Sequence, residues 1–210
     1  MTLVALSASY GAGGTKIGPM LAHELGVAFL DRAIPLQVAE HLEITPQAAA
    51  ARDEQVPGGL LDRLLSGFIG SDTGAPTTVP VDVVSDDRFR DATEAVLRRQ
   101  ADTGEGVILG RMGMVLLREH AGALRVRLDG PPERRIAQAM SLEDLDRATA
   151  ERGLRSADRM HTQYARHFYG VDLGDPHLYH LVIDSTAIPL GTCVEVIAAA
   201  ARSLTEVAAR

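Results

Sequence analysis

Short apolar runs alternate along the chain with stretches in which apolar residues recur every three or four positions. A short run that ends at glycine or a polar residue is typical of a buried strand, whereas the three-to-four spacing predicts a helix. Five runs are predicted to be strands: 3–8, 27–30, 106–109, 124–128 and 178–183. Strands separated by helices favour an α/β fold, a five-stranded, mainly parallel sheet with helices on both faces.

Helical spacing begins directly after the first run. Ile17, Met20 and Leu25 recur on one side of a predicted helix that Gly26 ends. The same spacing predicts helices over 86–101, over the arginine-rich residues 134–166 and over the alanine-rich residues 190–209. Residues 33–65 have a helical pattern interrupted by prolines, and residues 67–82 are rich in Gly, Thr, Pro and Ser, which predicts a mobile loop. The length fits a single domain over 1–210.

Composition narrows the classes of function. Hydrophobic residues make up 46% of the 210 and charged residues 23%, as in an ordinary globular enzyme. The net charge of −7 disfavours nucleic-acid polymers and anionic membranes as partners, and no run reaches the roughly 20 apolar residues of a membrane span. The single cysteine, Cys193, excludes an intramolecular disulfide and a cysteine zinc site. With no signal-peptide pattern at the N-terminus, we expect a cytoplasmic protein.

A glycine-rich segment, Ser7-Ala-Ser-Tyr-Gly-Ala-Gly-Gly-Thr-Lys16, lies between the first predicted strand and helix. Against the phosphate-binding pattern G-x-x-x-x-G-K-[ST], Ala8 stands at the first glycine and Gly14 at the lysine, and Lys16 comes two places late. Backbone N–H groups in such a turn hold phosphate oxygens, helped by the helix dipole. The candidate phosphate-binding residues are Gly11, Ala12, Gly13, Gly14, Thr15 and Lys16. A glycine-rich turn without a ligand is the alternative.

Polar residues also follow the other predicted strands. They are Asp31, the pair Gly110-Arg111, and the triplet Asp184-Ser185-Thr186. Ligands of parallel α/β sheets bind at the carboxyl ends of the strands, so these residues are predicted to gather near the glycine-rich segment. Asp31 could equally cap a following helix.

Three segments resemble the cytidylate kinase-like family, a divergent branch of the P-loop nucleoside monophosphate kinases. They are residues 5–32, with Tyr-Gly-Ala-Gly-Gly-Thr-Lys; residues 107–111, Val-Ile-Leu-Gly-Arg; and residues 170–186, which end in Leu-Val-Ile-Asp-Ser-Thr. The family has a similar glycine loop that also lacks the usual lysine. The likeness covers nearly the whole chain except about 34–84.

The resemblance implies a P-loop kinase-type three-layer sandwich with a helical lid over about 140–170. ATP would bind at the glycine loop with Mg²⁺ near Thr15, and a monophosphate, CMP or dCMP as the first candidate, near Asp31, Arg32 and Arg111. The lid residues implied are Arg152, Arg155, Asp158, Arg159 and Arg166, and the catalytic cations Lys16, Arg111 and Arg159. Arginine suits this task because its planar, permanently charged group binds phosphate bidentately. For any single lid arginine, a solvated helix face is the alternative.

Four departures from the family or its relatives leave other functions open. Met112 follows Arg111 where ordinary cytidylate kinases have aspartate, and Thr93 aligns with their base-reading arginine. His161 replaces a lid arginine, and Gly14 replaces the P-loop lysine. These changes favour two alternatives, a catalytically weak or inactive nucleotide sensor and a kinase for another small acceptor. A homodimer is possible, and the histidines show no metal-ligand spacing.

Overall fold

The computed structural model describes residues 2–30, 86–110 and 112–208, and the side chains of 2–30, 91–110 and 112–205. The chain separates into two compact units, Met1–Asp31 with Leu97–Arg210, and Arg32–Val96. The sheet and the glycine-rich segment belong to the first unit. A single domain over 1–210 stays a prediction.

Some predictions fall outside the described residues. They are the helical pattern over 33–65, the mobile loop at about 67–82, and the candidate acceptor residues Asp31, Arg32 and Arg111.

The described elements alternate between strands and helices, as the apolar pattern predicts. The strands are β1 (Leu3–Ala8), β2 (Phe29–Leu30), β3 (Gly106–Leu109), β4 (Ala123–Asp129) and β5 (Leu181–Asp184). The helices are α1 (Gly14–Leu25), α2 (Asp86–Thr103), α3 (Gly113–Leu116), α4 (Pro132–Glu143), α5 (Arg147–Tyr169) and α6 (Leu190–Ala208).

All four strand pairings among the described residues are parallel, in the order β2-β3-β1-β4-β5. The central strand β1 pairs Leu3 with Gly106 of β3 on one side and with Ala123 of β4 on the other. From β1 the chain continues to β2 on one side of the sheet, whereas from β4 it continues to β5 on the other. The carboxyl ends of β1 and β4 therefore flank the switch point at which ligands bind in sheets of this kind.

Helices cover both faces of the sheet. Val4 and Leu6 of β1 share a buried cluster with Ile17 and Leu21 of α1 and Ile197 of α6. On the opposite face, α3 approaches closely at Gly113, where an added Cβ would lie 3.5 Å from Ala5 and 3.6 Å from Ile108. Successive strand residues point to opposite faces, so these two sets form separate layers of a three-layer α/β sandwich.

Several predicted boundaries differ from the structure by one to three residues, and two differences have a visible cause. The fifth strand begins at Leu181 because Pro176–Leu178 forms a 3₁₀ turn, in which the Asp175 side chain accepts a hydrogen bond from the N–H of His177 (2.9 Å). The predicted helix over 134–166 is two helices, because Asp144 adopts a left-handed conformation (φ 52°) that ends α4. Asp146 then caps α5 by accepting from the N–H of Thr149 (2.8 Å). The short helix α3 was not predicted.

Candidate functional site

The glycine loop, residues Ser9 to Gly13, joins β1 to α1. Its first residue is fixed to β4, since the N–H of Ser9 donates to the carbonyl of Leu128 (3.0 Å). Gly11 (φ 76°) and Gly13 (φ 75°) adopt left-handed conformations that residues with a side chain rarely take. Gly13 caps α1, and its carbonyl accepts from the N–H groups of Lys16 (3.0 Å) and Ile17 (2.9 Å).

The loop presents backbone donors. Within the described residues, no acceptor is bonded to the N–H groups of Gly11, Gly13, Gly14 or Thr15. The last two belong to the first turn of α1, where the helix dipole adds partial positive charge. The backbone of the loop and the first turn thus has the donors that an anionic phosphate requires.

Tight packing explains both the glycines and a departure from the usual motif. A Cβ at Gly11 would collide with the backbone carbonyl of Arg135 in α4. A Cβ at Gly14 would lie 2.5 Å from the Cβ of Ala8 and 3.1 Å from Leu109 Cδ1. Because Ala8 occupies the first glycine position of the motif, there is no room for a side chain at the lysine position with this backbone.

Two buried side chains hold carbonyl groups of the loop. The Ser185 hydroxyl, 1% exposed, donates to the carbonyl of Ala12 (2.7 Å). Arg135, whose side chain is 7% exposed, donates to the carbonyls of Tyr10 (3.2 Å) and Gly130 (2.9 Å). Arg135 also forms a bidentate ion pair with Asp158 of α5 (3.0 and 2.7 Å).

A second polar network lies beside the loop at the end of β4. Arg127 donates to the Ser9 hydroxyl (3.0 Å), to Asp129 (3.0 Å) and to the phenol of Tyr179 (3.3 Å). Burial alone would raise the pKa of Asp129, but Arg127, the N–H of Gly130 and the Ser9 hydroxyl outweigh it and lower that pKa. Asp129 is therefore a carboxylate at neutral pH, half-buried at the carboxyl edge of the sheet.

The end of β5 forms a third contact region. Asp184 accepts from the hydroxyl of Thr186 (2.6 Å) and from Arg134 (2.6 Å). The hydrogen bond from Thr186 is the main reason that the pKa of Asp184 is lowered. A Cβ at Gly130 would lie 2.5 Å from the Thr186 hydroxyl, so the ends of β4 and β5 are closely packed. Of the polar strand ends predicted to gather near the glycine loop, the triplet at the end of β5 reaches it through Ser185, whereas Asp31 and Arg111 lie outside the described residues.

The predicted cations of α1 and α5 lie away from these networks. The side chains of Lys16 and Arg159 are exposed and bond to no described residue. Arg152 donates to the Thr149 hydroxyl (2.9 Å), Arg155 lies 3.7 Å from Glu151, and Arg166 lies 3.3 Å from Asp172. No hydrogen bond or ion pair joins any of these arginines to a described residue of the glycine loop. Thr15 is half-buried beside the loop.

The spacing within α5 explains this arrangement. Arg152, Arg155, Arg159 and Arg166 are three, four and seven residues apart, and a helix turns by about 100° per residue, so they form one exposed stripe. The buried residues Ala150, Ala157 and Ala165 occupy the opposite side. Asp158 lies between the two sides and faces Arg135. Of the five predicted lid residues, Asp158 alone contacts the surroundings of the loop in the described structure.

Sequence reasoning missed Arg127, Asp129 and Arg135 as parts of the site. A signal for the first two exists, because charged residues at every second position of β4 are unusual in a strand buried by helices. No local signal separates Arg135 from its charged neighbours, since its partner Tyr10 is 125 residues distant.

Among the described residues, no group of His, Cys, Asp and Glu could hold a metal ion, and no helix is long and apolar enough to cross a membrane.

Solved structures resemble the fold at low sequence identity. An uncharacterized protein from Eubacterium ventriosum ATCC 27560 matches with a TM-score of 0.64 and 16% identity, over 97% of this chain and 99% of that one. A gluconokinase from Sinorhizobium meliloti 1021 matches with a TM-score of 0.53 and 17% identity, over 98% of this chain and 94% of that one. A shikimate kinase from Bacteroides thetaiotaomicron gives a TM-score of 0.47 and 15% identity, over 98% of each chain. The match to the gluconokinase, with a TM-score above 0.5, shows that a kinase adopts the same fold.

At the level of sequence, the chain matches a family profile but no single curated protein. The sequence profile of the cytidylate kinase-like family matches residues 3–187, most of the 210 residues. The match includes the glycine loop, β3 and the polar end of β5, the segments that carry the resemblance in the sequence. The chain belongs to the cytidylate kinase-like family.

Proposed function

We propose that the protein is an ATP-dependent kinase that phosphorylates a nucleoside monophosphate, with CMP or dCMP as the first candidate. The family and the fold are those of phosphotransferases. The observation that carries the proposal is the glycine loop at the switch point of the sheet, with four backbone N–H groups that have no acceptor among the described residues. Family membership by itself leaves the acceptor unspecified.

The ATP phosphates would lie against the N–H groups of Gly11, Gly13, Gly14 and Thr15. The N–H groups of Ala12 and Lys16, also predicted to bind phosphate, instead donate to the carbonyls of Ser9 and Gly13 (3.0 Å each). Thr15, half-buried in the first turn of α1, would supply a hydroxyl ligand for Mg²⁺. The ion would neutralise charge between the phosphate groups. The left-handed glycines fit such a ligand because they let the backbone approach it without a side chain between.

The acceptor would bind near Asp31, Arg32 and Arg111, the residues implied by the family resemblance. Phosphoryl transfer to a monophosphate needs in-line placement of two anions and cations around the transferred group. The protein would supply those cations through Arg111, Lys16 and Arg159. Fixed positive groups stabilise the charge of the transition state most when water is excluded.

Catalysis would also require α5 to change position or rotation. Its arginine stripe lies opposite the buried alanines, and Arg159 bonds to no described residue. A lid over about 140–170 that closes on bound nucleotides would bring Arg159 toward the phosphates. Closure of this kind occurs on microsecond to millisecond timescales in kinases.

Measurement of ADP release with a panel of monophosphates tests the proposal. CMP or dCMP should raise ADP release well above the rate with ATP alone, and a different monophosphate at the top of the panel would correct the acceptor. No ADP release with any monophosphate, in a protein that binds ATP, would refute the proposed activity.

A nucleotide sensor with weak or no activity is the second candidate. Gly14 at the lysine position and the exposed Lys16 favour it, because Gly14 carries no ammonium group and the side chain of Lys16 is directed to solvent rather than packed against the loop. ATP binding without transfer to any acceptor would support it.

ADP release with a small acceptor other than a monophosphate would instead support the third candidate, a kinase of different specificity. A cytoplasmic location and a homodimer remain further proposals.

A further inference from the structure

We infer that Arg135 and Ser185 are positioning residues that set the direction of the backbone N–H groups in the glycine loop. The inference rests on the proposed binding of phosphates to this loop. Both side chains are buried, and each donates to a loop carbonyl: Arg135 to Tyr10 (3.2 Å) and Ser185 to Ala12 (2.7 Å).

The geometry of the peptide group connects these bonds to the anion site. A peptide unit is planar and trans, so its carbonyl and its N–H point in opposite directions. The carbonyl of Tyr10 shares a peptide unit with the N–H of Gly11, and the carbonyl of Ala12 shares one with the N–H of Gly13. Holding each carbonyl therefore directs the following N–H away from the anchoring side chain. These two N–H groups have no acceptor in the described chain.

Glycine makes the anchoring necessary. Gly11 and Gly13 both have positive φ, and a glycine exchanges between left- and right-handed conformations more readily than any other residue. Without a fixed carbonyl before each of them, the two peptide units could rotate and turn the N–H groups away from a ligand. Two anchors on carbonyls two residues apart thus preorganise the loop before an anion arrives.

The chemistry of Arg135 suits it to this task. Its guanidinium donates to Tyr10, to Gly130 and to both oxygens of Asp158. A lysine could not reproduce these four bonds, because its ammonium is a single point with three donors. Asp158 balances the buried charge and holds the guanidinium in place from α5, and the bidentate geometry fixes its plane. The same arginine thereby connects α5 to the glycine loop.

Binding of tripolyphosphate and of ATP, measured by calorimetry well below the unfolding temperature, tests the inference. Relative to wild type, Ser185→Ala should weaken tripolyphosphate binding about fivefold or more and Arg135→Ala more than tenfold. Ser185→Thr retains a hydroxyl and should bind more tightly than Ser185→Ala. Arg134→Ala is the matched control, because Arg134 neighbours Arg135 but donates to Asp184. Its affinity should stay within about twofold of wild type.

Chemical rescue separates a positioning role from a general loss of stability. Millimolar guanidinium chloride should restore part of the tripolyphosphate affinity of Arg135→Ala, whereas equal concentrations of urea should not. Arg135→Lys should bind as weakly as Arg135→Ala. If Arg135→Ala does not fold, Arg135→Lys and Ser185→Ala decide the question. Folded Ser185 and Arg135 variants that bind tripolyphosphate within twofold of wild type would overturn the inference.

Amide resonances of the ligand-free protein give a readout that does not depend on phosphate binding. The N–H signals of Gly11 and Gly13 should shift or broaden in Ser185→Ala and Arg135→Lys but stay in place in Arg134→Ala. If wild type binds neither ATP nor tripolyphosphate, the proposed function fails, and these resonances alone test the anchoring. Unchanged signals in both anchor variants would refute it.

Discussion

The contact between Ala8 and Gly14 predicts that these two positions are energetically coupled. A Cβ at Gly14 would lie 2.5 Å from the Cβ of Ala8, closer than two such atoms approach, and 3.1 Å from a flexible methyl group of Leu109. Relieving that overlap would require a backbone shift, which costs about 1–3 kcal/mol in a well-packed region. An alanine in place of glycine also gains about 0.4–1 kcal/mol by restricting the unfolded chain.

A double-mutant cycle measures the coupling. Gly14→Ala in the natural background should lower the free energy of unfolding by roughly 0.5–2 kcal/mol, the difference between the steric cost and the entropic gain. The same change in an Ala8→Gly background should be neutral or stabilising, because the overlapping methyl group is gone. The expected coupling energy is therefore about 1–3 kcal/mol, within the range for residues in contact.

Urea unfolding followed by circular dichroism supplies the four free energies. Equal m-values across the four proteins would show that the unfolding transition itself is unchanged. The A8G/G14K double variant carries the complete G-x-x-x-x-G-K-T pattern and should bind ATP on the order of tenfold more tightly than wild type, as expected for one added charge-assisted hydrogen bond. Equal destabilisation by Gly14→Ala in both backgrounds would refute the steric reasoning.

Three further predictions concern other parts of the chain. Asp146→Ala removes the cap of α5 and should lower the free energy of unfolding by about 1 kcal/mol in urea titrations, whereas an unchanged value would contradict the cap. Burial and then Arg125 lower the pKa of His180 in the folded chain. In the unfolded chain the same imidazole is protonated below about pH 6.5, so protonation there favours unfolding. Stability should fall as the pH drops below that value, and His180→Asn should reduce this dependence; parallel curves would argue against it. Arg111→Ala should lower the transfer rate about a hundredfold and Lys16→Ala only about tenfold at saturating ATP, and the reverse order would refute the proposed acceptor site.

Local patterns in the sequence predict most of the described fold because the relevant interactions are local. The apolar run of β1 and the helical spacing of α1 both agree with the structure, and Gly26 ends α1 in the left-handed conformation expected of a terminal glycine. The break between α4 and α5 escaped prediction because Asp144 adopts a positive φ without being a glycine. Asp146, a residue type preferred at helix N-caps, was the available signal for a new helix start.

The candidate site is less predictable, because its contacts join distant parts of the chain. The triplet at the end of β5 was expected near a ligand, yet the sequence does not reveal that the Ser185 hydroxyl would reach Ala12, 173 residues away. The sequence likewise does not reveal whether the α5 arginines face the protein or the solvent. Helical spacing places Arg152, Arg155 and Arg159 on one side, but which side packs inward depends on the small residues Ala150 and Ala157 meeting a buried tyrosine.

A phosphate-binding loop has two tasks, and the glycine at the lysine position affects them to different extents. One task is to align backbone donors with phosphate oxygens. That task depends on peptide orientation, which the buried side chains of Arg135 and Ser185 can fix without a cation at the lysine position. The other is to neutralise charge as it moves during transfer, which does require a cation close to the phosphates. Gly14 lacks the cation that the second task requires, whereas its N–H remains in the first turn of α1 and is available for the first task. Loss of the lysine should therefore lower the rate of transfer more than the affinity for ATP, and the remaining affinity should depend on Arg135 and Ser185, the anchors of the loop.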